Sequence, residues 1–142
     1  MQQLLIEFIN TLDLSLKSLQ EKVGSRSGFA RLTIHQFQYI DAIHELGEPS
    51  ITELAARLNI TKASVTAGVN KLISMGYVNK TQSSADRRVY HASLTAAGQH
   101  LVAAKYQALR EYGDFIDAAL SEEEARQFQD ILAKLVRLFK QA

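Results

Sequence analysis

The 142-residue chain has no cysteine, no tryptophan, a single proline, and no apolar run longer than the four residues from Leu101 to Ala104. Each scarcity removes a class of protein. Without cysteine there are no disulfides, no thiolate metal sites, no cysteine nucleophile and no thiol-based redox sensing. A run of four falls far short of the ~20 apolar residues that a membrane-spanning helix needs. The first ten residues, MQQLLIEFIN, carry no basic segment and no small-residue cleavage site, so they do not read as a signal peptide. A soluble, cytoplasmic protein without a membrane partner is the expectation. With 46% hydrophobic residues the chain is rich enough to bury a core, and its length suits one domain of ~100–150 residues.

Net charge is only +1, but it is unevenly spread. Residues 1–50 carry a charge of −2, residues 51–100 carry +4, and residues 101–142 carry −1. A basic middle between acidic flanks points to a polyanion in the middle and protein contacts at the ends.

Apolar spacing divides the chain into helices and one hairpin. Leu5, Phe8, Leu12, Leu16, Leu19 and Val23 form one stripe of a long amphipathic helix, which the segment Gly24 to Gly28 is expected to end. Thr33 with Gln36 reads as a capping box opening a second helix through Ile34, Phe37, Ile40 and Ile43. Pro49 breaks that pattern. A short helix is expected from Thr52 to Leu58 with Leu54, Ala55 and Leu58 inward. Thr61 then caps a helix whose apolar face is Val65, Val69, Leu72 and Ile73, ending at Met75-Gly76. Segments 77–81 and 89–94 are rich in Val, Tyr and Thr and read as strands joined by a polar loop, Gln82 to Arg88. Thr95 caps a long helix carrying Leu101, Ala104, Ala108, Tyr112, Phe115 and Ala119. Ser121 with Glu124 opens the last helix, with Phe128, Ile131, Leu135 and Leu138 on one side and Leu132, Val136 and Phe139 beside them. The fold class is mainly α with a small β-hairpin, in the order α-α-α-α-β-β-α-α.

Residues 52–74 have the plan of a helix-turn-helix, with a tight turn at Asn59-Ile60. Opposite the apolar face of its second helix lie Ala63, Ala67, Asn70 and Ser74, flanked by Ser64, Thr66 and Lys71. Short side chains let a helix come close to base edges, and Ala or Thr methyls can touch thymine methyls. The Asn70 amide suits adenine, while Lys62, next to the Thr61 cap, and Lys71 suit phosphate or guanine. Such a face, taken alone, is more often an ordinary solvated surface. The hairpin tip changes the balance, because Arg87 and Arg88 follow Asp86 on a projecting loop. An arginine there can enter a minor groove, and a neighbouring carboxylate can fix the direction of its guanidinium.

Several segments together resemble the MarR family of bacterial transcriptional regulators. They are Ile51-Thr52-Glu53-Leu54-Ala55, Leu58-Asn59-Ile60-Thr61, Val65-Thr66, Leu72, Gly76-Tyr77-Val78, Asp86-Arg87-Arg88 and Leu94-Thr95-Ala96-Ala97-Gly98. The resemblance implies a winged helix-turn-helix homodimer, with residues 1–31 and 96–142 as dimerisation helices and 32–95 as the DNA-binding lobe. It also implies Arg88 in the minor groove with Asp86 as its orienting partner. Thr66 to Asn70, Tyr39 to Ile43 and His91 resemble the fatty-acid-synthesis repressors (FabT type) within the family. There are departures. Ala67, Thr81 and Gln82 stand where many members carry arginine, Ser84 stands where a wing proline is usual, and Gly68 costs about 1 kcal/mol against alanine inside a helix. Fewer arginines imply moderate affinity and an A·T-rich site.

Catalysis finds no support. His35, His44, His91 and His100 show no metal-binding spacing, and there is no nucleophile elbow, P-loop or dinucleotide-binding turn. No cofactor and no metal are expected. A second stripe on helix two, His35, Tyr39, Ala42 and Leu46, more often packs on neighbouring helices than binds a ligand. In MarR-like proteins it would face the effector pocket, so it is the candidate site for a small-molecule or acyl-chain effector. The expectation is therefore a non-enzymatic, ligand-responsive repressor that binds a double-stranded operator as a homodimer. The competing reading is a dimeric winged-helix adaptor acting through protein contacts. A polar recognition face and wing arginines argue against it, since an adaptor would present apolar or acidic surfaces there.

Overall fold

The computed structural model describes residues 1–26 and 32–141. Its elements are α1 (Gln2–Arg26), α2 (Ile34–Leu46), α3 (Ile51–Leu58), α4 (Lys62–Ser74), β1 (Val78–Gln82), β2 (Tyr90–Leu94), α5 (Ala96–Ala119) and α6 (Glu122–Gln141). The chain divides into two compact units, Met1–Tyr106 and Gln107–Ala142.

Helix starts follow from short polar side chains that satisfy backbone N–H groups left unpaired in the first turn. Thr33 and Gln36 form a reciprocal capping box on α2, as their spacing predicts. Ser121 and Glu124 do the same for α6. Ser50 and Glu53 form a third box, so α3 begins at Ile51 and not at Thr52. The α3–α4 turn places Asn59 in the left-handed region at φ 54°. There the Ile60 N–H donates to the Ala55 carbonyl at 3.1 Å. Helix α1 continues through Gly24 to Arg26. The rest of the break expected there, Ser27 and Gly28, lies outside the described residues.

The hairpin pairs antiparallel from Val78 opposite Leu94 to Gln82 opposite Tyr90, one residue later at β1 than the composition predicts. Ser50 adds a short third edge beside His91, and the Ala92 N–H donates to the Pro49 carbonyl at 2.9 Å. The His91 ring reaches the Glu48 carbonyl at 3.0 Å, and since a carbonyl only accepts, Nδ1 carries the proton.

The core of the first unit is built by α2 to α5. Ile40, Ile43, Leu54, Val65, Val69, Leu72, Val78, Ala92 and Leu101 are fully or almost fully buried. Each large aliphatic among them contributes about 1.5–3 kcal/mol by leaving water. Packing runs past residue 95, since Leu101 and Val102 on α5 are core residues. Ile34, expected on the α2 stripe, is exposed at the helix's first turn, and Leu58 is only half-buried. Lys105 on α5 pairs with Asp41 on α2, and Tyr106 lies 6.0 Å from the His44 ring.

Glycine at 98 is set by close approach. A β-carbon there would collide with the Tyr77 carbonyl oxygen. Thr95 completes the junction: its hydroxyl donates to the Gly76 carbonyl at 2.7 Å and accepts from the Gly98 N–H at 3.2 Å. The Leu-Thr-x-x-Gly pattern is thus the joint that seats α5 on the turn before β1.

By contrast, α1 and α6 bury no side chain among the described residues. Leu5, Phe8 and Leu12 on α1 are exposed, as are Ile131, Leu135, Leu138 and Phe139 on α6. The side chains of Leu16, Leu19 and Val23 lie outside the description. No helix among the described residues is long and apolar enough to cross a membrane.

Candidate nucleic-acid interface

Helix α4 separates its faces cleanly. Val65, Val69 and Leu72 are buried, while Lys62, Ala63, Ser64, Ala67, Asn70 and Lys71 are exposed and Thr66 is half-buried. Thr61 caps the helix by accepting from the Ser64 N–H at 3.2 Å, and its hydroxyl donates to Ser64 Oγ at 3.0 Å. The exposed face carries two lysines, one carboxamide and short side chains. Among the described residues the side chains of Lys62, Asn70 and Lys71 have no protein partner, so their donors are open to a ligand.

The wing tip occupies residues 83–89. Its backbone is closed by the Ser83 N–H donating to the Val89 carbonyl at 2.8 Å and the Val89 N–H donating to the Asp86 carbonyl at 2.9 Å. The Ser83 hydroxyl accepts from the Ala85 and Asp86 N–H groups, both at 3.3 Å. Asp86 then takes three hydrogen bonds from one residue. Arg88 Nε donates to Oδ1 and Nη2 to Oδ2, each at 3.2 Å, and the Arg88 main-chain N–H donates to Oδ1 at 3.0 Å. These bonds, the side-chain ones first and the backbone one second, hold the Asp86 carboxyl below its ordinary value of 3.8. The fork is two-pronged and planar, so it fixes the direction of the guanidinium while leaving it 90% exposed.

Of the six basic residues between 51 and 100, three are engaged within the protein. Arg57 pairs with Glu45 at 2.5 Å, Lys80 sits 4.5 Å over the Tyr90 ring, and Arg88 is forked to Asp86. Lys62, Lys71 and Arg87 keep free ammonium or guanidinium groups among the described residues. The positive charge legible in the sequence is therefore divided: part holds the lobe together and part faces solvent on α4 and the wing.

The α2 stripe is less unified. Ala42 belongs to the core, and Tyr39 is half-buried with its hydroxyl donating to the Ser64 carbonyl at 3.1 Å. His35 is exposed beside Gln38 and Leu46 is exposed at the other end. A cavity of about 440 Å³ in the second unit, lined by Asp117, Leu120 and Arg126 among others, includes none of the four.

Sequence reasoning missed one brace of the wing. Gln82 Nε2 donates to the Arg87 carbonyl at 2.6 Å and lies 3.3 Å from the Tyr90 hydroxyl. Only the register, which sets Gln82 opposite Tyr90, brings these groups together.

The chain is similar to known proteins in sequence and in fold. Residues 32–90 match the model of the MarR family. An uncharacterised HTH-type transcriptional regulator of Bacillus subtilis, YhjH, is 29% identical over 126 residues, spanning 84% of this chain and 70% of its own. The HTH-type transcriptional repressor MdtR of the same organism is 25% identical over an alignment of 142 residues, spanning 92% of this chain and 87% of its own. In fold, the chain is similar to Streptococcus pneumoniae FabT, solved in complex with DNA, with a TM-score of 0.84 at 23% identity and 99% of both chains covered.

Proposed function

We propose that this chain is a member of the MarR family of transcriptional regulators, whose model its residues 32–90 match, and that it is a homodimeric, ligand-responsive repressor that reads a pseudo-palindromic operator. It is a regulator and not an enzyme, as its relatives are. In this reading α4 enters the major groove and the wing enters the minor groove. Thr61, Lys62, Ala63, Ser64, Thr66, Ala67, Asn70 and Lys71 line the first contact; Asp86, Arg87 and Arg88 make the second. The observation that carries the reading is the Arg88 guanidinium, aimed by a two-pronged bond to Asp86 yet almost wholly exposed. An arginine held so firmly with no buried partner is prepared for a ligand outside the chain. A narrow minor groove, with its concentrated negative potential, suits it.

Dimerisation is supported by the apolar faces that α1 and α6 leave uncovered. Residues 1–31 and 96–142 would supply the interface, in the class of ~2,000 Å² or more, around a reading lobe of 32–95 whose core also takes Leu101 and Val102 from the start of α5. Repression is the role that the likeness to MdtR favours, and FabT, similar in fold, is known bound to DNA. Effector response is assigned to the α2 stripe of His35, Tyr39, Ala42 and Leu46, with a small molecule or an acyl chain as ligand.

Selection from random double-stranded DNA tests the reading. A two-fold dimer should return a pseudo-palindrome with half-sites about 10 base pairs apart. Asn70→Ala should cost about 1–3 kcal/mol and relax one position per half-site, while Lys71→Ala should weaken all sequences alike. Selection of no symmetric motif would defeat the proposal.

A further inference from the structure

Gly68 sits in the middle of α4, where alanine would stabilise the helix by about 1 kcal/mol. Its backbone is helical; among the described residues the glycines with positive φ are Gly47 and Gly76. Conformational freedom therefore does not account for it. Space does. A β-carbon at position 68 would lie 2.5 Å from Tyr39 Cζ, 2.7 Å from its hydroxyl oxygen and 2.8 Å from Cε1. The Tyr39 ring occupies the place a side chain would take. Its hydroxyl donates to the Ser64 carbonyl at 3.1 Å, one turn before Gly68. That carbonyl already accepts the Gly68 N–H by helix geometry, so the tyrosine takes its second lone pair.

We propose that Tyr39, seated on Gly68, is a positioning residue for sequence reading: it sets the roll of α4 about its axis and so the base edge that Asn70 meets. This inference rests on the reading of α4 as the recognition helix. Val65, Val69 and Leu72 fix how deeply α4 packs, but apolar contacts are non-directional and tolerate small rotations. Tyr39 bears on one flank of the helix, between the buried face and the reading face, through a ring contact and a directional hydrogen bond. The leverage is large. A roll of about 20° carries a side-chain tip, 5–6 Å from the helix axis, through about 2 Å. That is enough to break a bidentate amide–adenine pair, whose bonds are lost beyond about 3.5 Å.

The test compares binding to a duplex selected from random DNA by the parent protein with binding to a scrambled duplex of the same composition. Melting temperatures are followed alongside. Tyr39→Phe should lower the ratio of selected to scrambled affinity about fivefold and the melting temperature by no more than a few degrees, as one intramolecular hydrogen bond is lost. Gly68→Ala should lower it about tenfold, although alanine is the better helix former. In a Tyr39→Ala background, Gly68→Ala should cause no further loss, because the ring it strikes is gone. A merely structural role would lower the melting temperature and leave the ratio alone. Ratios within about twofold of the parent for both Tyr39→Phe and Gly68→Ala, while Asn70→Ala still relaxes the selected site, would overturn this proposal alone. An Asn70→Ala protein that selects the parental site unchanged would overturn the reading of α4, and the role of Tyr39 with it.

Discussion

The winged lobe and the terminal helices use the same apolar residue types to opposite ends. Between Phe37 and Val102 the stripes supply an enclosed core, in which Ile40, Ile43, Leu54 and Leu72 have no solvent exposure. On α6, Ile131, Leu135 and Leu138 follow an equally regular spacing, yet each is at least 42% exposed. Periodicity alone does not distinguish them. What does is connectivity: α2 to β2 fold back on one another through short turns, while a long amphipathic helix at either end of the chain keeps its apolar stripe for another surface. One region is complete as a single chain, and the other leaves uncovered the apolar faces on which the proposed dimer would close.

The same truncation placed in each region tests this difference most severely. Ile43→Ala should cost about 2–5 kcal/mol by opening a cavity in the lobe, measured by denaturant unfolding at a fixed protein concentration. Ile131→Ala should change the stability of the dissociated chain by no more than about 0.5 kcal/mol. Equal costs in dilute, monomeric protein would mean that α6 is already covered within one chain. Charge on the second region gives the next largest effect. Leu132→Asp with Leu135→Asp should convert the proposed dimer to a folded monomer in sedimentation. Operator affinity should then fall about a hundredfold, as two linked half-site contacts become one. A dimer that survives both changes would remove α6 from the interface.

How far the sequence revealed these regions depended on the range of the interaction. Local capping was legible: Thr33 with Gln36, Thr61, and Ser121 with Glu124 each form as their spacing implies. Ser50 with Glu53 has the same spacing, but beside Pro49 it reads as loop, which places the expected start of α3 one residue late. Asp86 and Arg88 were legible as a pair because they are two residues apart. Interactions across the fold were not. Tyr39 reaches Ser64 from 25 positions away, Lys105 reaches Asp41 from 64, and His91 reaches the Glu48 carbonyl from 43. By sequence alone Gly68 is only a cost, because its reason, the Tyr39 ring, lies on another helix. The α2 stripe is one face by spacing alone, but it divides because Ala42 is drawn into the core while Leu46 falls at the helix end.

Within the complete region, the wing separates function from stability. Arg88→Ala removes a side chain that is 90% exposed, so the melt should not move. Operator affinity should still fall about tenfold or more, as one charge-assisted minor-groove contact is lost. Arg88→Lys should not restore it, because an ammonium has no planar fork to match Asp86 and is more strongly hydrated. Arg87→Ala is the control, with equal charge loss and no carboxylate to aim it. It should weaken selected and scrambled duplexes alike and reduce the salt slope by about one. Normal binding by Arg88→Ala with failure of Arg87→Ala would exchange their roles. Normal binding by both would take the wing off DNA.

The smallest effect is electrostatic, and it compares a carboxylate in each region. Asp86 is held below 3.8 chiefly by the Arg88 side chain and then by its backbone N–H. Glu124, at the start of α6, is held below 4.5 by the backbone and then the hydroxyl of Ser121. In both cases the folded value is the depressed one. The stabilisation is therefore present above the ordinary carboxylate range and is lost as pH falls through the lower, folded value. Wing geometry should accordingly be constant from neutral pH to below 3.8. Carboxyl carbon titration by NMR can follow both groups in one sample. In Arg88→Ala the Asp86 midpoint should rise toward 3.8 without reaching it, because the main-chain N–H of residue 88 still donates. The Glu124 midpoint should stay where it is. Added salt should raise the parent's Asp86 midpoint toward the variant's, since the ion pair is exposed and screened. An Asp86 midpoint unmoved by the substitution would show that the backbone alone holds the carboxylate. The guanidinium would then be free to point anywhere, and the aimed arginine on which minor-groove reading depends would be lost.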